Sequence, residues 1–165
     1  MNGNDCCNGT EMQKYIGVKI IYAEPMDECT FLRKVKSQDV SDRETRPGYR
    51  VVYPDGYVSW SPKNVFEEAY RPTDGMTFGL AVEASKKGAK IARTGWNGKG
   101  MFVVYQKGYP QGIPCNKQSA DAWGINEGDL FKCEPYLQIK MVNGSHSMWV
   151  PSINDTLAED WMIVY

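Results

Sequence analysis

Apolar and polar positions along this chain switch between two periods, and the switches mark its elements. In residues 15–26, YIGVKIIYAEPM, closely spaced apolar side chains end at Pro25, which predicts a strand. The stretch that follows is charged and irregular (Arg33, Lys34, Lys36, Asp39, Asp42, Arg43, Glu44) and predicts a solvated loop with room for a turn of helix. Residues 48–62 read as a hairpin. Tyr49, Val51 and Tyr53 alternate with Arg50 and Val52, Pro54-Asp55-Gly56 supplies the turn, and Tyr57, Val58 and Trp60 return. Ser61-Pro62 predicts a helix start, with the Ser61 hydroxyl capping free amides and proline in the first turn. Val65, Phe66, Ala69 and Tyr70 then fall at helical spacing and are expected to face the sheet.

Arg71-Pro72-Thr73-Asp74-Gly75 interrupts both periods and is the expected domain boundary. Beyond it Thr77 can cap a helix over residues 77–87 that stops at Gly88, with Phe78, Ala81 and Val82 in one apolar stripe. Strands are expected at 90–93 and 101–107, joined by the Gly95–Gly100 turn, and then a long loop over 108–133 with a helical turn near 119–123. Residues 136–142 and 147–150 form a second hairpin across Asn143-Gly144. A short helical turn over 152–159 and an apolar strand over 161–165 complete the pattern. The expected fold is α+β: one helix packed on a mostly antiparallel sheet, with a small N-terminal β-hairpin/helix module. Residues 1–13, polar and rich in Asn and Gly, are expected to be a disordered tail, 14–71 the module and 76–165 the principal domain.

Composition narrows the function. A length of 165 residues suits one domain or two small ones, and a net charge of -1 leaves no excess of cations to neutralise a polyphosphate, so DNA and RNA are not expected partners. No apolar run approaches the ~18 residues of a membrane span, and the first residues lack a secretory pattern. A cytosolic protein is expected. The five cysteines form no CxxC pair and a single histidine accompanies them, so no zinc site, and no cofactor of any kind, is expected.

Two tracts carry the candidate chemistry: RTGWNGKGM from Arg93 and WVPSINDTLAEDW from Trp149. Each sets tryptophan beside small, polar or turn-forming residues, a combination suited to stacking a flat ring while amides and hydroxyls hold its polar edge. Neither holds a nucleophile with a base beside it. His146 lies in a hairpin turn, and Asp155, Glu159 and Asp160 form a metal-binding cluster only if they do not cap free amides instead. The Trp96-Asn97-Gly98-Lys99-Gly100 tract lacks Walker spacing and precedes a strand, which argues against a nucleotide triphosphatase. It forms a tight turn, with Asn97-Gly98 supplying positive φ, and its amides, Lys99 and the Trp96 ring can still meet a phosphate and a base. Trp161 reads as core, whereas Trp149, at the exit of a strand before Pro151-Ser152, can line a cleft. Asp155 either accepts from ribose hydroxyls or caps the turn begun by Ser152.

From about Met76 the chain resembles the second Thoeris anti-defence family of bacteriophages. The resemblance rests on Met76-Thr77-Phe78-Gly79, Lys86-Lys87-Gly88, ARTGWNGKGMFV from Ala92, and Tyr109-Pro110-Gln111-Gly112-Ile113-Pro114. It continues through Asn116-Lys117, Ser119-Ala120, Gly124, Glu127-Gly128, Pro135-Tyr136-Leu137, Asn143-Gly144-Ser145, Trp149 and LAEDW. Residues 14–71 are similar to a small module carried by phage proteins.

The resemblance implies a sponge that acts in the bacterial host cytosol. Such proteins form homo-oligomers, with tetramers implied here, and hold cyclic nucleotide immune signals intact, including glycocyclic ADP-ribose from TIR-domain proteins and, for some members, cyclic dinucleotides. It further implies that Trp96, Asn97, Asn116, Ser119, Trp149, Pro151, Ser152 and Asp155 line the pocket, and Gly98 and Lys99 join them from the turn chemistry above. Two positions depart from the family pattern: Ser85 replaces an apolar helix residue, and Trp123 replaces a small one. The alternatives left standing are a metal-dependent hydrolase of the same signals and a phage structural or regulatory protein.

Overall fold

The computed structural model describes residues 14, 16–96 and 98–165. The expected tail over 1–13 and the candidate Asn97 lie outside them. Strand β1 (Tyr22–Pro25) pairs antiparallel with β2 (Gly48–Val52), which pairs in turn with β3 (Val58–Pro62). β1 begins later than its apolar run because β2 ends at Val52, opposite Tyr22, where the chain turns away. Residues 16–21 therefore have the composition of a strand and no ladder to join.

The charged stretch expected to be a loop holds a nine-residue helix, α1 (Glu28–Lys36). Asp27 Oδ1 accepts from the Thr30 amide, Glu28 occupies the first turn, and Arg33, Lys34 and Lys36 occupy the last. The charges are thus ordered along the helix dipole, and Cys29 and Phe31 supply the buried face. Helix α2 (Lys63–Ala69) has its cap one residue beyond the expected one. Pro62 is its N-cap, and Ser61, paired within β3, makes no capping bond. Phe66 stacks between Tyr49 and Tyr70, while Val65 and Ala69 stay exposed, so only half of the expected stripe faces inward.

The second part follows its pattern more closely. Helix α3 (Phe78–Lys86) is capped by Thr77 and followed by Gly88 at φ +98°, where a side chain would be strained. It packs on a five-stranded antiparallel sheet containing β4 (Lys90–Arg93) and β5 (Phe102–Gln106). The expected loop over 108–133 instead contains a two-stranded ribbon, β6 (Tyr109–Pro114) and β7 (Leu130–Cys133), enclosing helix α4 (Lys117–Trp123). Pro110 and Gly112 obscure β6 in the sequence, and an irregularity between Tyr109 and Ile113 accommodates them. β8 (Tyr136–Lys140) and β9 (His146–Trp149) form the Asn143-Gly144 hairpin, then come α5 (Ile153–Thr156) and β10 (Trp161–Val164). The large sheet runs β10-β4-β5-β8-β9. Between it and α3 lies a core of Met76, Ala81, Ala84, Ile91, Val103, Ile139, Trp161 and Ile163. The fold is α+β as expected, richer in strands than in helices.

Candidate functional site

Antiparallel pairing sets Trp161, at the start of β10, opposite Arg93, at the end of β4. Trp161 is wholly buried, and its indole N–H donates to the Asp155 carbonyl at 2.9 Å. Around it stand three further rings. Trp96 lies 5.5 Å away at 76°, Trp149 6.0 Å away at 68°, and Phe78 5.3 Å away at 45°. Trp96 and Trp149 meet each other at 6.0 Å and 76°, edge to face. Both are half-buried against the core, so part of each ring stays at the surface. Trp161 is core, as its apolar strand suggested, and it serves as the floor on which the other two rings rest.

Arg93 ties the surroundings together. Its Nε donates to Asp160 Oδ1 at 2.8 Å and its Nη1 to Asp155 Oδ1 at 2.9 Å. Asp160 Oδ2 accepts from the Gly95 amide at 3.3 Å, anchoring the turn that carries Trp96. Asp155 and Ser152 form a reciprocal capping box: Asp155 Oδ2 accepts from the Ser152 amide and hydroxyl at 3.1 and 2.7 Å, and Ser152 Oγ accepts from the Asp155 amide at 3.1 Å. Burial pushes the Asp155 carboxyl up, but the Ser152 and Arg93 hydrogen bonds outweigh it and hold the group below the ordinary aspartate range. Asp160 is lowered chiefly by its hydrogen bonds from Arg93. The guanidinium occupies the space between the two carboxylates, where a metal ion would have to sit. Among the described residues no group of three His, Cys, Asp or Glu side chains converges, and His146 is exposed.

Trp96, Trp149, Ser152 and Asp155 are thus brought together, with half-buried Pro151 joining β9 to α5. Gly98 lies beside Val142 and Met101, where any Cβ would collide, so its glycine serves close packing. Gly100 in this turn has a positive φ, +76°, while the Asn97 of the expected Asn97-Gly98 pair lies outside the described residues. Lys99 is exposed. Asn116 and Ser119 belong to α4, where Asn116 Oδ1 caps the helix by accepting from the Ser119 amide at 2.9 Å. No hydrogen bond, ion pair or ring contact among the described residues links them to the tryptophans. A cavity of about 770 Å³ opens elsewhere, and none of the candidates lines it. Arg93, Asp160 and Phe78 complete the cluster; Arg93 and Phe78 are not among the expected contacts, and Asp160 is expected only as a metal ligand. The Arg93 and Asp160 signal lay in their positions at the ends of two strands that pair.

The helix on an antiparallel sheet, with indole rings gathered at strand ends, falls within the part of the chain that follows Met76. The chain belongs to the Tad2-like family of phage anti-defence proteins, whose model, the Thoeris anti-defense 2-like domain, matches residues 76–164. It is similar to the protein called Thoeris anti-defense 2 of Bacillus phage SP01, being 37% identical over 93 residues, 54% of this chain and 94% of that relative.

Proposed function

We propose that this chain binds cyclic nucleotide immune signals and sequesters them uncleaved, glycocyclic ADP-ribose from TIR-domain proteins and cyclic dinucleotides among them. The observation that carries this reading is the pair of half-buried indoles, Trp96 and Trp149, braced edge to face on Trp161. A ring system at the surface, stiffened from beneath, can stack a purine at low ordering cost. Retention of a scarce messenger calls for nanomolar binding, about -12 kcal/mol, which one shallow surface does not supply.

A second copy of the chain supplies the missing walls in this proposal. β9 is an edge strand, and Met148 on it is exposed, as are Val150, Ile153 and Leu157 beyond it; Val150 is 85% accessible. Such an apolar edge beside the tryptophans suits self-association into a homo-oligomer, a tetramer by family resemblance. The site would act in the host cytosol, and among the described residues no helix is long and apolar enough to cross a membrane. Gly98, Lys99, Asn116, Ser119, Pro151 and Ser152 remain proposed contacts with the ligand, Asn116 and Ser119 reaching it from a neighbouring copy. For Asp155, both carboxylate oxygens already have partners within the chain, which favours an indirect role. Arg93 between Asp155 and Asp160 weighs against the metal-dependent hydrolase.

Calorimetry against glycocyclic ADP-ribose isomers and a panel of cyclic dinucleotides tests the proposal. Trp96→Ala should weaken binding by about 1–3 kcal/mol with the fold intact. Unchanged affinity would remove Trp96 from the site, and no binding by the unaltered protein to any of the panel would remove the function.

A further inference from the structure

The cavity of about 770 Å³ lies between the segment over residues 17–23, α2, the linker after it, α3 and β10. We infer that it is a second small-molecule site, which takes a flat aromatic molecule bearing one anionic group. It stands apart from the tryptophan cluster and does not rest on the function proposed for that cluster.

The volume falls within the range of small-ligand pockets, roughly 300–1,000 Å³. One wall is a ladder of near-parallel rings. Tyr49 and Phe66 stack at 4.2 Å and 21°, and Phe66 and Tyr70 at 5.0 Å and 26°. All three line the space, so a planar guest continues a stack that already exists. Leu80, Ala84, Met162 and Ile163 form an apolar wall from α3 and β10.

Charge at the lining selects the guest. Lys19, Arg71 and Lys87 line the cavity, and none has a carboxylate within ion-pair distance among the described residues. Of the three lining carboxylates, Glu83 is held by Lys86 at 2.8 Å and Glu67 accepts from the Tyr49 hydroxyl at 2.9 Å. The Tyr49 hydroxyl leaves the Glu67 charge in place, and neither Glu67 nor Asp74 has a cation within ion-pair distance among the described residues. Three cations against two carboxylates without a cation partner, Glu67 and Asp74, leave a net positive lining that favours an anion with an apolar body.

The segment over 17–21 supplies an entry. It lies outside every strand, and Lys87 Nζ donates to the Val18 carbonyl to join it to α3. Its displacement would admit a ligand without breaking any strand pairing, and the freed Lys87 ammonium would face the guest's anionic group.

The test titrates naphthalene-2-sulfonate into the full chain by calorimetry, with naphthalene-2-sulfonamide and 2-naphthylmethylammonium as neutral and cationic counterparts. The sulfonate should bind once per chain and more tightly than either counterpart. Lys87→Glu, at an exposed position, should weaken it roughly five-fold. Leu80→Trp, filling the apolar wall, should abolish it, while Trp96→Ala should leave it unchanged. Absence of saturable binding, stronger binding of the ammonium compound, or affinity untouched by Lys87→Glu in a folded protein would overturn the inference. Loss of binding in Trp96→Ala would place the sulfonate at the tryptophans and overturn it equally.

Discussion

Replacing Arg93 by methionine removes the one guanidinium that joins α5, the start of β10 and the turn carrying Trp96. Methionine matches the length of the side chain and deletes its charge and its donors. The structure sets the magnitude. Arg93 makes a two-donor contact with Asp160, at 2.8 and 3.3 Å, and a single one with Asp155, at 2.9 Å. Hydrogen bonds to charged groups contribute about 1.5–3 kcal/mol each when buried. Here the Arg93 and Asp155 side chains are 22% and 16% exposed, but Asp160 is 36% exposed, so its share is cut by solvent. Two carboxylates are also left close together without a cation. A net loss of about 2–3 kcal/mol follows, which for a chain of this size lowers Tm by roughly 5–10 °C. Arg93→Lys, which keeps the charge but not the fork, should lie between the two. Thermal melts by circular dichroism, followed in parallel by tryptophan fluorescence, measure both. A methionine variant melting within about 1 °C of the parent would refute the view that Arg93 braces the cluster.

Other outcomes follow from the same structure. Ser85 is 2% exposed and its hydroxyl has no partner among the described residues, so Ser85→Ala should stabilise by about 1 kcal/mol, read as a higher denaturant midpoint; an unchanged or lower midpoint would show that the hydroxyl is satisfied. Gly108 sits at φ +73°, where a Cβ would strike the Cys133 carbonyl and the peptide before Pro135, so Gly108→Ala should lower stability by more than about 1 kcal/mol in the same assay. Acid should destabilise the chain in a defined window. The Thr45 hydroxyl and Thr30 amide hold Asp27 at about 2, and Asp155 and Asp160 are also lowered. Stability from these groups is complete above the ordinary aspartate pKa of about 3.9 and is lost as pH falls through their folded values, so Tm should drop between about pH 4 and 2 and stay level from 5 to 7.

Much of residues 76–165 was legible because local chemistry and tertiary packing agree there. Thr77 before the helix and Gly88 after it, Asn143-Gly144 in the hairpin, and the apolar 161–165 run each name their element without help from neighbours. Where the chain relies on pairing, the sequence is weaker. β6 carries Pro110 and Gly112 and is recognisable only once β7 lies beside it. Residues 16–21 show the reverse, a strand-like run whose partner ends too soon. α1 was obscured by charge, although Asp27, Glu28 and the later lysines are ordered along the helix axis. At the candidate site, Trp96 and Trp149 could be chosen from their turn settings and Asp155 from its carboxylate, whereas Ser152 came from family resemblance. Arg93 could not, since its role arises from the β4–β10 register, which brings two distant tracts side by side. Asn116 and Ser119 are expected from family resemblance alone, and within one chain Asn116 caps α4 by accepting from the Ser119 amide.

The central claim is that this chain retains an immune messenger without altering it. The direct measurement mixes the purified protein with an equimolar amount of glycocyclic ADP-ribose, removes free ligand by filtration, heats the retained protein and identifies the released nucleotide by mass spectrometry. Retention followed by release of the unchanged cyclic molecule is the predicted result. Release of an opened product, or passage of the messenger through the filter, would contradict it.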